Sequence, residues 1–334
     1  VHLRALPRVR HRRRSRFSRL SASGEWRDDG VRMFKGHGLA RVQAPESTAP
    51  IVIVPGFGNA DRDYLAPFGD EASSFSTVLR SRGFVPSVVE CERKDWLKVA
   101  RSLLTWRCFA GTCSTDPGYR WMLDRIDRAV QSAVEKSPTG RVMLVGHSAG
   151  GWLARAYVGD PKYGAVVDAS DASVVAEPTA SVSAVVTLGT PQLASPPDDV
   201  IDETRGAVRF VNRTLPGAFF RGQGVAYVSV TGRAVRADPA AAELRGTPAS
   251  YARQSYGQLL GRRGEGAVGD GVVPNECAHL EGARQVTIDG VWHSVSKIGT
   301  FEEPSLVPWY GSDVVVDTWL AELVHALEEE KAHT

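Results

Sequence analysis

Gly146-His147-Ser148-Ala149-Gly150 sets a serine between glycines where an apolar run, Val142 to Val145, meets a helix-like stretch from Trp152 onward. Four apolar residues in a row mark a strand buried on both faces, so Ser148 stands at a strand-to-helix corner. A G-x-S-x-G corner of this kind lifts a hydroxyl off the sheet and aims the positive end of the next helix at it. Gly146 and Gly150 are required there, because a Cβ at either position would strike the flanking strand or helix. The chemistry such a corner serves is attack by the serine oxygen on an electrophilic carbon.

A serine hydroxyl is a weak nucleophile and needs a base. Eight histidines compete for the role. His2 and His11 lie in a basic head, His37 precedes the first clear strand, and His325 and His333 belong to the last helix and the end of the chain. The ring of His147, inside the corner, is expected to turn away from the hydroxyl and pack. His279, in NECAHLEGA, reads as a structural histidine, whereas His293, in DGVWHSVS, directly follows the last apolar strand and is the expected base. The base needs a carboxylate to hold its tautomer. Asp270, on the Gly-flanked loop AVGDGVVPNE, is the expected partner; Asp238 in RADPA is the rival, and Asp289 lies too near His293 in sequence. Ser148, Asp270 and His293 then follow the Ser…Asp…His chain order. Oxyanion charge would be met by backbone donors: the N–H of Ala149 and one from Pro55-Gly56-Phe57-Gly58-Asn59, for which Phe57 is the expected donor. Gly56 and Gly58 would let that backbone approach a substrate closely.

The elements that must hold these residues alternate. IVIVP (51–55), FVPSVVE (84–90), the strand before Ser148, SVSAVVTLGTP (181–191), VAYVSVTG (225–232) and RQVTIDGVWH (284–293) read as short strands. SSFSTVLRSRG (73–83), a stripe of Met122, Ile126, Ala129, Val130, Ala133 and Val134, the stretch after Ser148, and 312–330 with Ser312 as N-cap read as helices. This alternation predicts an α/β fold with a mostly parallel sheet, helices on both faces, and ligands at the carboxyl ends of the strands. The expected division is a basic segment 1–23, a linker 24–49 with room for a first strand, and one domain over 50–330. Residues 91–118 and 192–255 break the rhythm and read as cap-like excursions. Trp96, Leu103, Leu104, Trp106 and Phe109 on one, with Phe219 and Phe220 on the other, are read either as lining an apolar cleft or as packing the core.

Composition narrows the classes. The 334 residues are 43% hydrophobic and 23% charged, ordinary for a globular chain with a sizeable core. Residues 1–23 hold eight arginines and no acid. Taking these from the net +2 leaves −6 on the remainder, which argues against a nucleic-acid footprint on the folded body. The head has the composition of an organelle transit peptide; a disordered basic tail and a nuclear-type basic cluster are the other readings. No apolar run approaches a bilayer span, which leaves contact with a membrane surface open. Cys91, Cys108, Cys113 and Cys277 are too scattered for a disulfide scaffold; Cys108 and Cys113 either bridge or stay as thiols. No Cys/His spacing matches a zinc site, and no metal or organic cofactor is expected.

Taken in order, PGFG, GHSAGG, TLGTP, GDGVVP and GVWHS resemble the α/β-hydrolase superfamily, closest to its lipase- and esterase-like members. TLGTP is similar to a strand-end motif of lipases and GPI-inositol-deacylase-like enzymes. ERKDWL, FVNRTLPGAF, VAYVSVTG and PWYGS resemble an uncharacterised plastid-targeted branch of plants and algae. The resemblance covers about residues 50–327. It implies an ester-cleaving α/β-hydrolase fold and a plastid address for the head, without naming the ester. With the apolar residues of the excursions, the expected activity is cleavage of a lipid-like carboxylic ester through an acyl-enzyme, and no protein partner is implied. Acyl transfer to an alcohol and thioester cleavage suit the same residues, and a non-catalytic ligand-binding protein is the reading from another class.

Overall fold

Six strands pair side by side because each is short, apolar and bounded by a loop. The computed structural model describes residues 39–171, 174–193, 200–237, 240, 246–295 and 307–333; the head 1–23 and Asp238 lie outside them. The strands are β1 (Ile51–Val54), β2 (Pro86–Val88), β3 (Val142–His147), β4 (Val182–Leu188), β5 (Ala226–Arg233) and β6 (Arg284–Asp289). They lie in the order β6-β5-β4-β3-β1-β2, and every pairing is parallel. Residues 39–49 contain no strand.

Side chains alternate between the two faces of a strand, and both faces here are apolar. Ile51, Ile53, Met143, Val145, Val186 and Val228 pack with α1 (Phe75–Arg80) and α6 (Asp313–Lys331). Val52, Val54, Val142, Leu144 and Val185 pack with α2 (Arg120–Val134) and α3 (Ala149–Val158). The stripe on α2 holds, with Met122, Ile126, Val130 and Ala133 buried. Ser312 precedes α6 but does not cap it with its hydroxyl, which instead accepts the Trp309 N–H at 2.9 Å.

The excursions are tied down from inside. In the first, an irregular 3-10 stretch (Arg93–Leu104) and a short helical turn (Trp106–Phe109) bury Asp95, Trp96, Ser102 and Cys108. The second carries α4 (Ala207–Thr214) and runs into α5 (Pro248–Leu260). Arg155 of α3 anchors it by donating to Gln192 Oε1 (2.8 Å), Asn212 Oδ1 (3.0 Å) and Leu215 O (2.7 Å). These acceptors are neutral, and burial pulls the Arg155 guanidinium down to about 10. Phe220 is buried in the core.

Arg82 closes the sheet's α1–α6 side. It is 1% exposed and reaches Asp317 at 2.6 Å and Asp313 at 2.8 Å, while donating to the carbonyls of Val78 and Asp313. Asp317 is largely enclosed, whereas the Asp313 side chain is 65% exposed. Removing one member of a buried pair strands the other, at a cost of about 3 kcal/mol, while an exposed pair contributes under ~1 kcal/mol. In chemical denaturation Arg82→Met is therefore expected to lose several times more stability than Asp313→Asn; equal losses would mean that the Asp317 pair contributes little.

Candidate active site

The corner after β3 has the geometry that its glycines imply. Ser148 sits at φ 51°, ψ −126° between β3 and α3, a conformation that costs a residue bearing a side chain about 1–3 kcal/mol. A Cβ on Gly146 would lie 2.4 Å from the Gly150 carbonyl oxygen, and one on Gly150 would lie 2.2 Å from Val54 O. The Ser148 N–H donates to Leu188 O at the end of β4 (2.8 Å), which pins the corner to the neighbouring strand. The hydroxyl has no hydrogen-bond partner among the described residues.

Asp270 and His293 come together on the same edge of the sheet. Asp270 lies 37 residues beyond the end of β5, and a two-residue antiparallel pair brings it back. Val235–Arg236 pairs with Val268–Gly269, so the chain between is looped out and Asp270 returns to the strand end. The His293 Nδ1–H donates to Asp270 Oδ2 at 2.7 Å, and the His293 backbone N–H donates to Asp270 O at 2.9 Å. Nδ1 is thereby committed to the carboxylate and Nε2 is left for another partner. The other oxygen, Oδ1, accepts the N–H groups of Val272 (3.0 Å) and Val273 (2.7 Å).

Tyr310, in the segment ahead of α6, was not singled out by sequence. Its hydroxyl donates to Asp270 Oδ2 at 2.7 Å and accepts the Gly232 N–H at 2.8 Å. Burial, with Asp270 beside it, raises Tyr310 well above the usual phenol range, so it stays a neutral donor.

His147 does more than pack. Its Nε2–H donates to the His293 carbonyl at 2.7 Å, so Nδ1 must accept, and the Tyr64 hydroxyl donates to it at 2.7 Å. Tyr64 in turn accepts from Gly56 N–H (3.0 Å) and Asn59 Nδ2 (2.9 Å). One buried chain of hydrogen bonds thus joins the loop after β1 to the corner and to the backbone of His293. Tyr64 could have been noticed as a tyrosine just past the PGFG loop, but nothing local tied it to His147.

The loop after β1 lies against the corner. A Cβ on Gly56 would meet Ser148 Cβ at 2.7 Å, and Gly58 takes φ +75° in the turn closed by Asn59 N–H to Gly56 O. The Phe57 and Ala149 N–H groups have no acceptor among the described residues. The Phe57 ring is 60% exposed and lies 5.1 Å from Trp96. His279 is instead bonded to Thr287 Oγ1 at 2.9 Å, and Asp289 pairs with Arg233. All four cysteines are buried free thiols. Among the described residues no group of three or more His, Cys, Asp or Glu is arranged for a metal, and no helix is long and apolar enough to cross a membrane.

Burial, and the His293 ring 4.8 Å away, push His147 from its ordinary 6.5 down to about 3. The unfolded chain takes up this proton below 6.5 and the folded chain only near 3. Stability contributed through His147 is therefore complete above 6.5 and declines as pH falls through that window, by about 1.4 kcal/mol per pH unit. Denaturant titrations across the window should give the parent a steeper decline than His147→Gln by about that slope. Equal slopes would mean that His147 is protonated in the folded state.

The alpha/beta hydrolase family model matches residues 51–307. Among solved structures the chain is similar to a Bacillus licheniformis lipase (14% identity, TM-score 0.43, 87% of this chain and 96% of that one). It is also similar to a metagenomic carboxyl esterase (14%, 0.43, 90% and 84%) and to a Paleococcus ferrophilus monoacylglycerol lipase (14%, 0.35, 88% and 98%). The search of curated proteins gives no match. With most of its length, from β1 to the segment before α6, covered by that match, the chain belongs to the alpha/beta hydrolase family.

Proposed function

We propose that the protein is a serine hydrolase that cleaves carboxylic esters with an apolar acyl or alcohol part. The observation that carries the reading is the 2.7 Å contact of His293 Nδ1 with the buried Asp270 carboxylate, on the same sheet edge as a strained serine. In this mechanism Ser148 Oγ bonds to the ester carbonyl carbon as its proton passes to His293 Nε2. Asp270 holds the imidazole by Nδ1 and stabilises the imidazolium. The N–H groups of Phe57 and Ala149 donate to the oxyanion. The C–O bond to the alcohol then breaks, His293 returns the proton to the departing oxygen, and an acyl-enzyme remains. Water attacks the acyl carbon, giving its proton to His293. The acid leaves as Ser148 Oγ regains a proton.

The preference for an apolar ester is supported by the exposed Phe57 ring beside Trp96 at the edge of the site. The plastid address belongs to the same proposal: the composition of residues 1–23 supports an organelle transit segment, and the resemblance to a plastid-targeted branch supplies the plastid.

The test is hydrolysis of p-nitrophenyl esters from acetyl to palmitoyl, with a fluorophosphonate probe for the serine. Ser148→Ala should abolish labelling and lower kcat/KM by about 10⁴-fold or more, and Asp270→Asn should cost about 10⁴-fold while leaving KM nearly unchanged. Activity rising with chain length is expected. Activity that survives Ser148→Ala overturns the assignment, and formation of a new ester in preference to acid, when an alcohol is supplied, replaces hydrolysis with acyl transfer.

A further inference from the structure

The excursion between β2 and α2 has two unlike sides. Its inner side is fixed: Trp96 stacks edge-on against Trp121 at 5.3 Å and donates Nε1–H to Asn59 O, and Asp95 pairs with Arg125 and Lys98 at 2.6 Å each. Its outer side presents Leu97 (77% exposed), Leu104 (87%), Trp106 (78%) and Phe109 (76%) to water, with Leu103 also exposed. Single exposed apolar residues are ordinary, but a contiguous set of large ones marks an interaction surface. These side chains cannot fold inward without breaking the anchors behind them.

Charge decides the occupant. From Arg93 to Thr115 the only acid is Asp95, which is buried and paired. Lys94, Lys98 and Arg93 are each matched by a carboxylate. Arg101 and Arg107 are exposed and have no ion-pair partner among the described residues. Exposed Trp, Phe and Leu interspersed with unpaired arginines is the composition of a segment that lies in the plane of a bilayer interface, with its rings among the acyl chains and its cations on anionic headgroups.

We propose that residues 97–109 form a docking surface for an anionic lipid membrane. Trp96, buried beneath this surface, lies 5.1 Å from the exposed Phe57 ring on the loop that abuts Ser148, so a docked bilayer would lie toward that edge of the site. Docking requires no turnover and stands apart from the hydrolase reading.

The full chain carrying Ser148→Ala, which cannot turn over lipid, is mixed with vesicles of equal parts phosphatidylglycerol and acyl-brominated phosphatidylcholine. It should float with the vesicles, and bromine should quench tryptophan emission. Trp106→Phe should still float but lose most of the quenching, which separates this surface from Trp26 and from binding through the arginines of residues 1–23. Leu104→Ser with Trp106→Ser should lower the partition coefficient by about tenfold or more, and Arg101→Gln with Arg107→Gln by about fivefold for each arginine. All these side chains are solvent-facing, so thermal melts should stay close to the parent's. Absence of flotation, or flotation and quenching unchanged in the patch variants, overturns the proposal. A concentration-dependent dimer without lipid, lost in Leu104→Ser with Trp106→Ser and accompanied by no flotation, also overturns it and assigns the surface to a second copy of the chain.

Discussion

The Asp270 carboxylate has no exposed surface, and a carboxylate cut off from water is tolerated only when the fold supplies its hydrogen-bond donors. Four donors converge on it: His293 Nδ1, the Tyr310 hydroxyl and the N–H groups of Val272 and Val273. They come from the loop after β6, the segment before α6 and the loop that carries Asp270 itself. Each of these stretches must be in place before the others are satisfied. The site and the packing of that sheet edge are therefore one structural problem with one solution.

A second set of bonds holds the other side of His293. Its side chain is oriented by Asp270, but its carbonyl is held by His147, and through Tyr64 that hold extends to Gly56 and Asn59. The imidazole is thus gripped by both its ring and its backbone. His147 can serve as the middle link because burial keeps it neutral, with one nitrogen donating and the other accepting.

The parts of this arrangement that can be read from sequence are those whose cause is local. Apolar runs bounded by glycine or proline locate all six strands, and the Gly146–Gly150 spacing locates the strained serine. His293 is legible because it follows a strand, and Asp270 because glycines flank it. Tyr310 and Tyr64 are not legible, since their roles come from contacts 40 and 83 residues away. His147, two residues past an apolar run, looks like a packing residue until its two polar partners are known. Leu104, Trp106 and Phe109 mislead in the opposite direction. Their hydrophobicity predicts burial or a cleft, while the anchors at Asp95 and Trp96 turn them outward. Ser312 does stand at the N-cap of α6, as its position predicts, but its hydroxyl accepts the Trp309 N–H and not one from the helix.

The short antiparallel pair between Val235–Arg236 and Val268–Gly269 acts as a clasp at the base of a long loop. Below the clasp, the distance from β5 to Asp270 is set by two residues on each side. Above it, the chain can lengthen or shorten at an entropic cost that grows only with the logarithm of its length. The position of the acid is thereby uncoupled from the size of the loop that carries α5. This is a modular joint: the chain beyond the clasp can be remodelled while the carboxylate beneath His293 stays where it is.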